Sequence, residues 1–222
     1  MFSSIFSPWE PVKATSPPKL STNPVQHTDN FKIVVILDES GSMNIVREKM
    51  ISALNDLVLE QQQIKSRPCS FTLVKFNDIV KRVIENRDLR EINKLTYEDY
   101  TPDRTTALFD AIGETIDWFK YERDVLMVII TDGQENASKH FTKTQVTDML
   151  QEKQKYCNWS YVYLCNDLST ASQGNSIGLN NSKFSANCVV DQTNYGSFIK
   201  NKLNSAISNY RQYGTSVQSQ LK

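Results

Sequence analysis

Three short segments carry oxygen-bearing side chains that together could hold a hard cation. Asp38, Ser40 and Ser42 alternate through "DESGS", and Gly41 between the serines permits a tight turn that aims several side chains at one point. Asp132 follows the apolar run "VLMVII" in "TDGQEN", and Thr105 and Thr106 stand between a long polar stretch and a helix-like one. All of these residues offer oxygen alone. A small set of hard, partly neutral oxygen donors suits Mg²⁺ or Mn²⁺, with Ca²⁺ as a further candidate. Two carboxylates and a few hydroxyls do not fill an octahedron, so water and one outside ligand, ideally acidic, complete it. Taken singly, each segment has an ordinary alternative. Ser and Asp before a helix are N-caps, and "TDG" after a strand is a turn.

The elements around these segments decide between the two readings. "FKIVVIL" (31–37) is β-branched and almost wholly apolar, as expected of a strand covered on both faces. Val46, Met50, Leu54, Leu57, Gln61 and Ile64 then recur at helical spacing. "SFTLVKF" (70–76) and "IVKRVIE" (79–85) are separated by "ND" alone, which predicts a hairpin and one antiparallel strand. Residues 86–105 read as a long irregular loop. "TALFDAIGETIDWFK" (106–120) is helical, "DVLMVIIT" (124–131) a buried strand, 142–155 a helix and "WSYVYLC" (159–165) a strand. A short helix near 168–177, an edge strand in "KFSANCVV" and a final amphipathic helix in "GSFIKNKLNSAISNYRQY" complete the pattern. Alternation of this kind predicts an α/β fold, a doubly wound, Rossmann-like, mostly parallel sheet with one antiparallel strand. Helices cover both faces in three α/β/α layers. Ligands in such folds sit beyond the C-terminal ends of the strands, where "DESGS" and "TDGQEN" both fall.

"DESGS", a threonine in "RTTALFDAI" and "IITDGQEN" resemble the von Willebrand factor type A domain and its metal-ion-dependent adhesion site, written D-x-S-x-S, then T, then D. The resemblance covers about residues 31–213. The later part, "WSYVYLCND…SIGL…ISNYRQYG", is similar to the stand-alone intracellular versions of bacteria, phages and large DNA viruses. It implies metal ligands Asp38, Ser40, Ser42, Thr106 and Asp132, the hydroxyls in direct contact and the aspartates partly through water. It also implies a protein partner that offers an acidic side chain to the metal, a contact flanked by Arg104, Glu135 and Asn136. The family often has two glycines before the threonine, where this chain has Arg104 and Thr105. "TAL" aligns with Thr106, and Thr105 is the alternative ligand. Arg104 beside the metal would repel the cation or recruit an acidic partner.

Composition narrows the remaining classes. The 222 residues carry 25 basic and 25 acidic side chains, which disfavours a generic nucleic-acid binder. Lys200, Lys202, Arg211 and Lys222, in a stretch without acids from Thr193 onward, read as a solvated face. The four cysteines form no C-x-x-C pair and fit a reducing, intracellular setting. His27 and His140 are too few for a zinc site or a catalytic dyad. No apolar run reaches membrane-spanning length, and the N-terminus does not read as a signal peptide. Residues 1–30 hold five of the seven prolines and read as an extended Pro/Ser-rich tail ahead of a domain at 31–213 and a short C-terminal tail at 214–222. Phe2, Ile5, Phe6 and Trp9 make that tail a candidate anchor in a larger assembly. The expected function is a metal-dependent protein-interaction module rather than an enzyme. The second reading is an assembly component, such as a minor capsid protein of a virus particle, held by its N-terminal arm. A Mg²⁺-dependent phosphatase-like enzyme ranks third, since no P-loop or nucleophile–base set is present.

Overall fold

A computed structural model describes residues 30–214 and 216–221. The N-terminal tail, with Phe2, Ile5, Phe6 and Trp9, lies outside the described residues, as do His27 and Lys222. Six strands form one sheet in the order β3-β2-β1-β4-β5-β6. They are β1 (Phe31–Asp38), β2 (Cys69–Phe76), β3 (Val80–Asp88), β4 (Val125–Ile130), β5 (Ser160–Cys165) and β6 (Ser185–Val189). Only the β2–β3 pair is antiparallel, joined by the expected tight hairpin. The helices are α1 (Arg47–Gln63), α2 (Leu108–Trp118), α3 (Lys143–Tyr156), α4 (Leu168–Ser176), α5 (Tyr195–Phe198) and α6 (Asn204–Tyr213), with a π turn at Ile199–Leu203 between the last two. The fold is the doubly wound, mostly parallel α/β arrangement anticipated from the strand–helix alternation.

Side-chain alternation along the central strands divides the core in two. Ile33, Val35 and Leu37 of β1, with Leu126, Val128 and Ile130 of β4, face α1 and α6 through Met50, Leu54, Leu57 and Ile207. Val34 and Ile36, with Met127 and Ile129, face α2 and α3 through Leu108, Ile112, Val146 and Leu150. A strand buried on both faces has no polar side to show, which is why β1 and β4 read as continuous apolar runs.

Two expectations change. The stretch 86–105 is partly built rather than irregular: β3 runs on to Asp88, a 3-10 turn spans Leu89–Glu91, and Leu89, Ile92 and Tyr100 are buried in the first core. Arg211 is not on a solvated face. It is buried and donates to the carbonyls of Gln61 and Ile64 near the end of α1, and to that of Arg67. Helix C-termini leave carbonyls without intrahelical donors, and a guanidinium satisfies several at once. Beyond α6, Val217 and Leu221 pack against the first core.

The strand order reverses between β1 and β4. Leu37 is in register with Ile130, so Asp38 at the end of β1 comes level with the residues that follow β4. That gap is the place a doubly wound sheet leaves for a ligand.

Candidate metal centre

Asp38 is fully buried at the end of β1. Its Oδ1 accepts from the Ser40 main-chain N–H at 2.7 Å, and its Oδ2 accepts from Thr131 Oγ1 at 2.6 Å. The first bond turns the chain and brings Ser40 back over the strand end. Ser40 and Ser42 hydroxyls then lie 3.2 Å apart, and Ser42 Oγ donates to Asp132 Oδ1 at 2.5 Å. Asp132 Oδ2 accepts from Gln192 Nε2 at 3.0 Å. Asp38, Ser40 and Asp132 are buried while Ser42 is exposed, so the cluster has a floor and a mouth.

Thr106 reaches the same cluster. Its main chain exchanges two hydrogen bonds with Asn136: Thr106 N to Oδ1 at 2.9 Å, and Asn136 N to Thr106 O at 3.0 Å. A Cβ placed on Gly133 would come within 2.9 Å of Thr106 Oγ1 and 3.7 Å of Asp38 Oδ2. A side chain at 133 would crowd the Thr106 hydroxyl, and both that hydroxyl and the Asp38 carboxylate border Gly133. Thr106 is buried, whereas Thr105 is exposed. The structure therefore brings Asp38, Ser40, Ser42, Thr106 and Asp132 together at the strand ends.

The flanking residues play other parts than expected. Arg104 pairs through its guanidinium with Asp78 at 3.3 Å, and its carbonyl accepts from Gly41 N at 3.1 Å. Its φ of +69° is the left-handed conformation that glycine takes most easily, which accounts for the loop closing without the paired glycines. Glu135 accepts from the main-chain N–H groups of Phe109, Ala137 and Ser138, so it caps the start of α2 rather than facing a ligand. Asn136 serves to hold Thr106.

Several supports have no signature in the motif. Glu39, the variable residue between Asp38 and Ser40, turns inward. Its Oε1 meets Lys75 Nζ at 2.7 Å and the Thr101 N–H at 2.8 Å, and Lys75 also donates to the Asp99 carbonyl at 2.6 Å. Tyr100 donates to the Asp38 carbonyl at 2.6 Å. These bonds tie the connection after β3 to the back of the turn. Tyr195, fully buried, donates to the Thr131 carbonyl at 3.4 Å.

The electrostatics leave a charge to be balanced. Among the described residues, the hydrogen bonds to Asp38 and Asp132 come from hydroxyls, a main-chain N–H and an amide, none of them charged. Burial pushes the Asp38 carboxyl up to about 6, with the Asp132 charge adding to it, against the lowering effect of Ser40 and Thr131. Burial likewise raises Asp132, opposed by Ser42 and Gln192. Buried carboxylates without a compensating charge are costly. A divalent cation among these oxygens would remove that cost, so the donor set fits a hard cation. Among the described residues no three His, Cys, Asp or Glu side chains come together, so such a site must draw on hydroxyls.

A family model described as the von Willebrand factor type A domain matches residues 32–198. No curated protein matches the chain. Among solved structures, proximal thread matrix protein 1 from the mussel byssus, in a form with a zinc-occupied MIDAS motif, is 18% identical at a TM-score of 0.59. That match covers 80% of this chain and 46% of the mussel protein, so the chain spans less than half its length. The vWF domain of the type V pili tip protein Mfa5 from Porphyromonas gingivalis is 12% identical at a TM-score of 0.60, covering 83% of this chain and 97% of that one. The ArnB paralog VWA2 from Sulfolobus acidocaldarius is 16% identical at 0.52, covering 78% and 44%. At these identities the likeness is one of fold.

Proposed function

The chain belongs to the von Willebrand factor type A domain family, and from that premise we propose that it is a protein-interaction module that grips an acidic side chain of a partner through a divalent cation. Domains of this family with such a metal site often mediate metal-dependent protein interactions. The observation that carries the reading is the pair Asp38 and Asp132, buried beside three hydroxyls and without a charged hydrogen-bond partner among the described residues. A cation held there supplies positive charge and a coordination position open to a carboxylate. Asp38 and Asp132 bring the negative charge, and Ser40, Ser42 and Thr106 bring neutral oxygens. Mg²⁺ is the proposed ion, with Mn²⁺ or Ca²⁺ as substitutes. With so few charged donors the cation keeps its appetite for an anionic ligand.

Support from the scaffold is of the same kind. Thr131 fixes one oxygen of Asp38, and Tyr100 and the Glu39–Lys75 pair fix the turn behind it. An exposed Ser42 above a buried floor suits capture from solution, and we assign the protein no catalytic step. The reading keeps the protein inside the cell, in keeping with the free cysteines Cys69, Cys157, Cys165 and Cys188. No helix among the described residues is long and apolar enough to cross a membrane. Residues 1–30 are proposed to tether the domain to a larger assembly. The second reading, an assembly component of a particle held by that tail, rests on Phe2, Ile5, Phe6 and Trp9 alone.

The test is capture from the native source on immobilised protein, with Mg²⁺ and with EDTA. A partner should be retained only with metal, and Asp132→Ala should lose it while keeping its circular dichroism spectrum. Capture that ignores both EDTA and the substitution would move the binding face away from this rim. Turnover of an aryl phosphate that depends on Mg²⁺ and on Asp38 would favour the enzyme reading instead.

A further inference from the structure

We propose that Gln192 is a positioning residue of the metal site: its amide holds Asp132 in the pose that faces the cation, so the link between β6 and α5 belongs to the site. The inference rests on the metal reading above and adds a residue that lies outside the D-x-S-x-S, T and D segments. Asp132 has both carboxylate oxygens engaged, Oδ1 by Ser42 and Oδ2 by Gln192 Nε2 at 3.0 Å. Two donors on opposite oxygens fix the plane of a carboxylate, whereas one leaves it free to pivot. Removing a group that orients a metal ligand in this way typically costs about 10–100-fold in metal affinity.

Gln192 is itself held. Its 3-10 turn, Gln192–Asn194, is capped by Asp191, which accepts from the Thr193 N–H at 2.8 Å and from the Thr193 hydroxyl at 2.5 Å. Asn194 N closes the turn onto the Asp191 carbonyl at 2.8 Å. Three residues after Gln192, buried Tyr195 donates to the carbonyl of Thr131, the neighbour of Asp132. The link after β6 is thus fastened to the end of β4 at two consecutive residues. The chemistry of the amide also fits the task. A lysine at 192 would bring a charge that competes with the cation. A glutamate would add a third carboxylate and cancel the positive charge an acidic ligand needs. A neutral N–H donor orients Asp132 and leaves the charge balance alone.

The experiment uses the full chain and Mn²⁺ alone as probe, followed by calorimetry, together with the melting temperature in EDTA. Gln192→Met and Gln192→Ala both remove the donor, one at similar length and one by truncation. Asn194→Ala changes the same turn without touching Asp132. Both Gln192 variants should melt in EDTA as the wild type does and bind Mn²⁺ about 10-fold more weakly, while Asn194→Ala matches wild type in both measurements. A purely structural role would lower the melting temperature in EDTA and leave the affinity alone. Wild-type Mn²⁺ affinity in either folded Gln192 variant, or an equal loss in Asn194→Ala, overturns the inference by itself. Absence of Mn²⁺ binding by the wild type overturns the metal reading, and this inference with it.

Discussion

Ser42 Oγ donates to Asp132 Oδ1 at 2.5 Å, a contact between residues 90 positions apart that closes the mouth of the cradle. While it donates, the hydroxyl oxygen keeps lone pairs, so the same bond can orient Asp132 and leave the Ser42 oxygen available to a cation. Ser42→Ala removes two partly buried hydrogen bonds, to Ser40 and to Asp132, and should cost about 1–2 kcal/mol without metal. Its Mn²⁺ affinity should fall much more than that loss of stability, as read by calorimetry beside urea denaturation in EDTA. Equal proportional losses in both would mean that Ser42 merely braces the turn.

The acid limb of stability depends on Asp38. Its carboxyl is pushed up from 3.8 to about 6, chiefly by burial, so between those values the folded protein holds a proton that the unfolded chain has released. A raised carboxylate contributes stability at low pH that is lost as pH rises through about 6. The gap corresponds to about 3 kcal/mol. In EDTA the urea midpoint should therefore rise as pH falls from about 7.5 to about 5, and Asp38→Asn should lack this component. Saturating Mg²⁺ should flatten or reverse the trend, because the proton and the cation compete for one carboxylate. A midpoint that follows pH alike in wild type and Asp38→Asn would place the titration elsewhere.

Lys75 and Glu39 form a buried pair at 2.7 Å behind the turn. Removing one member of such a pair strands the other charge, at a cost of about 3–5 kcal/mol. Lys75→Met should destabilise by that amount in urea denaturation, and Lys75→Met with Glu39→Gln should recover most of it. Glutamine keeps an acceptor for the Thr101 N–H while giving up the charge. A double variant as unstable as Lys75→Met would show that packing of the lysine stem, and not the stranded carboxylate, sets the loss.

Much of this architecture is visible in the chain itself. β1 and β4 announce themselves because strands covered on both faces must be apolar throughout, and "ND" between two strand-like runs leaves little but a hairpin. Asp38, Ser40, Ser42 and Asp132 are legible as oxygen donors just after apolar strands, while the choice of Thr106 over Thr105 comes from the resemblance, and the burial of Thr106 agrees with it. Glu39 and Lys75 are hidden for a physical reason. A lysine near the end of a strand and a glutamate in a loop are ordinary surface residues until the parallel register of β1 and β2 brings them together. Gln192 has no local signature, since its partner comes from the far side of two crossovers. Arg211 was within reach: Ile199, Leu203 and Ile207 precede it at four-residue steps, which puts it on the buried stripe of the last helix.

That stripe gives a test remote from the metal. Arg211→Met should cost about 2–4 kcal/mol by leaving the buried carbonyl of Gln61 and the partly buried carbonyls of Ile64 and Arg67 without their charged donor. Calorimetry on the folded variant should give wild-type Mn²⁺ affinity. A lost metal site would mean that the end of α1 and the cradle are coupled.

The most direct measurement is a calorimetric titration of the full chain with Mn²⁺ or Mg²⁺, alongside Asp38→Ala. The wild type should bind metal at one site per chain, with a melting temperature that rises with metal concentration as expected for a ligand of the native state. Asp38→Ala should stay folded, bind no metal at that site and melt at the same temperature with and without it. Equal binding by the two proteins, or none by the wild type, would contradict the assignment of the cradle.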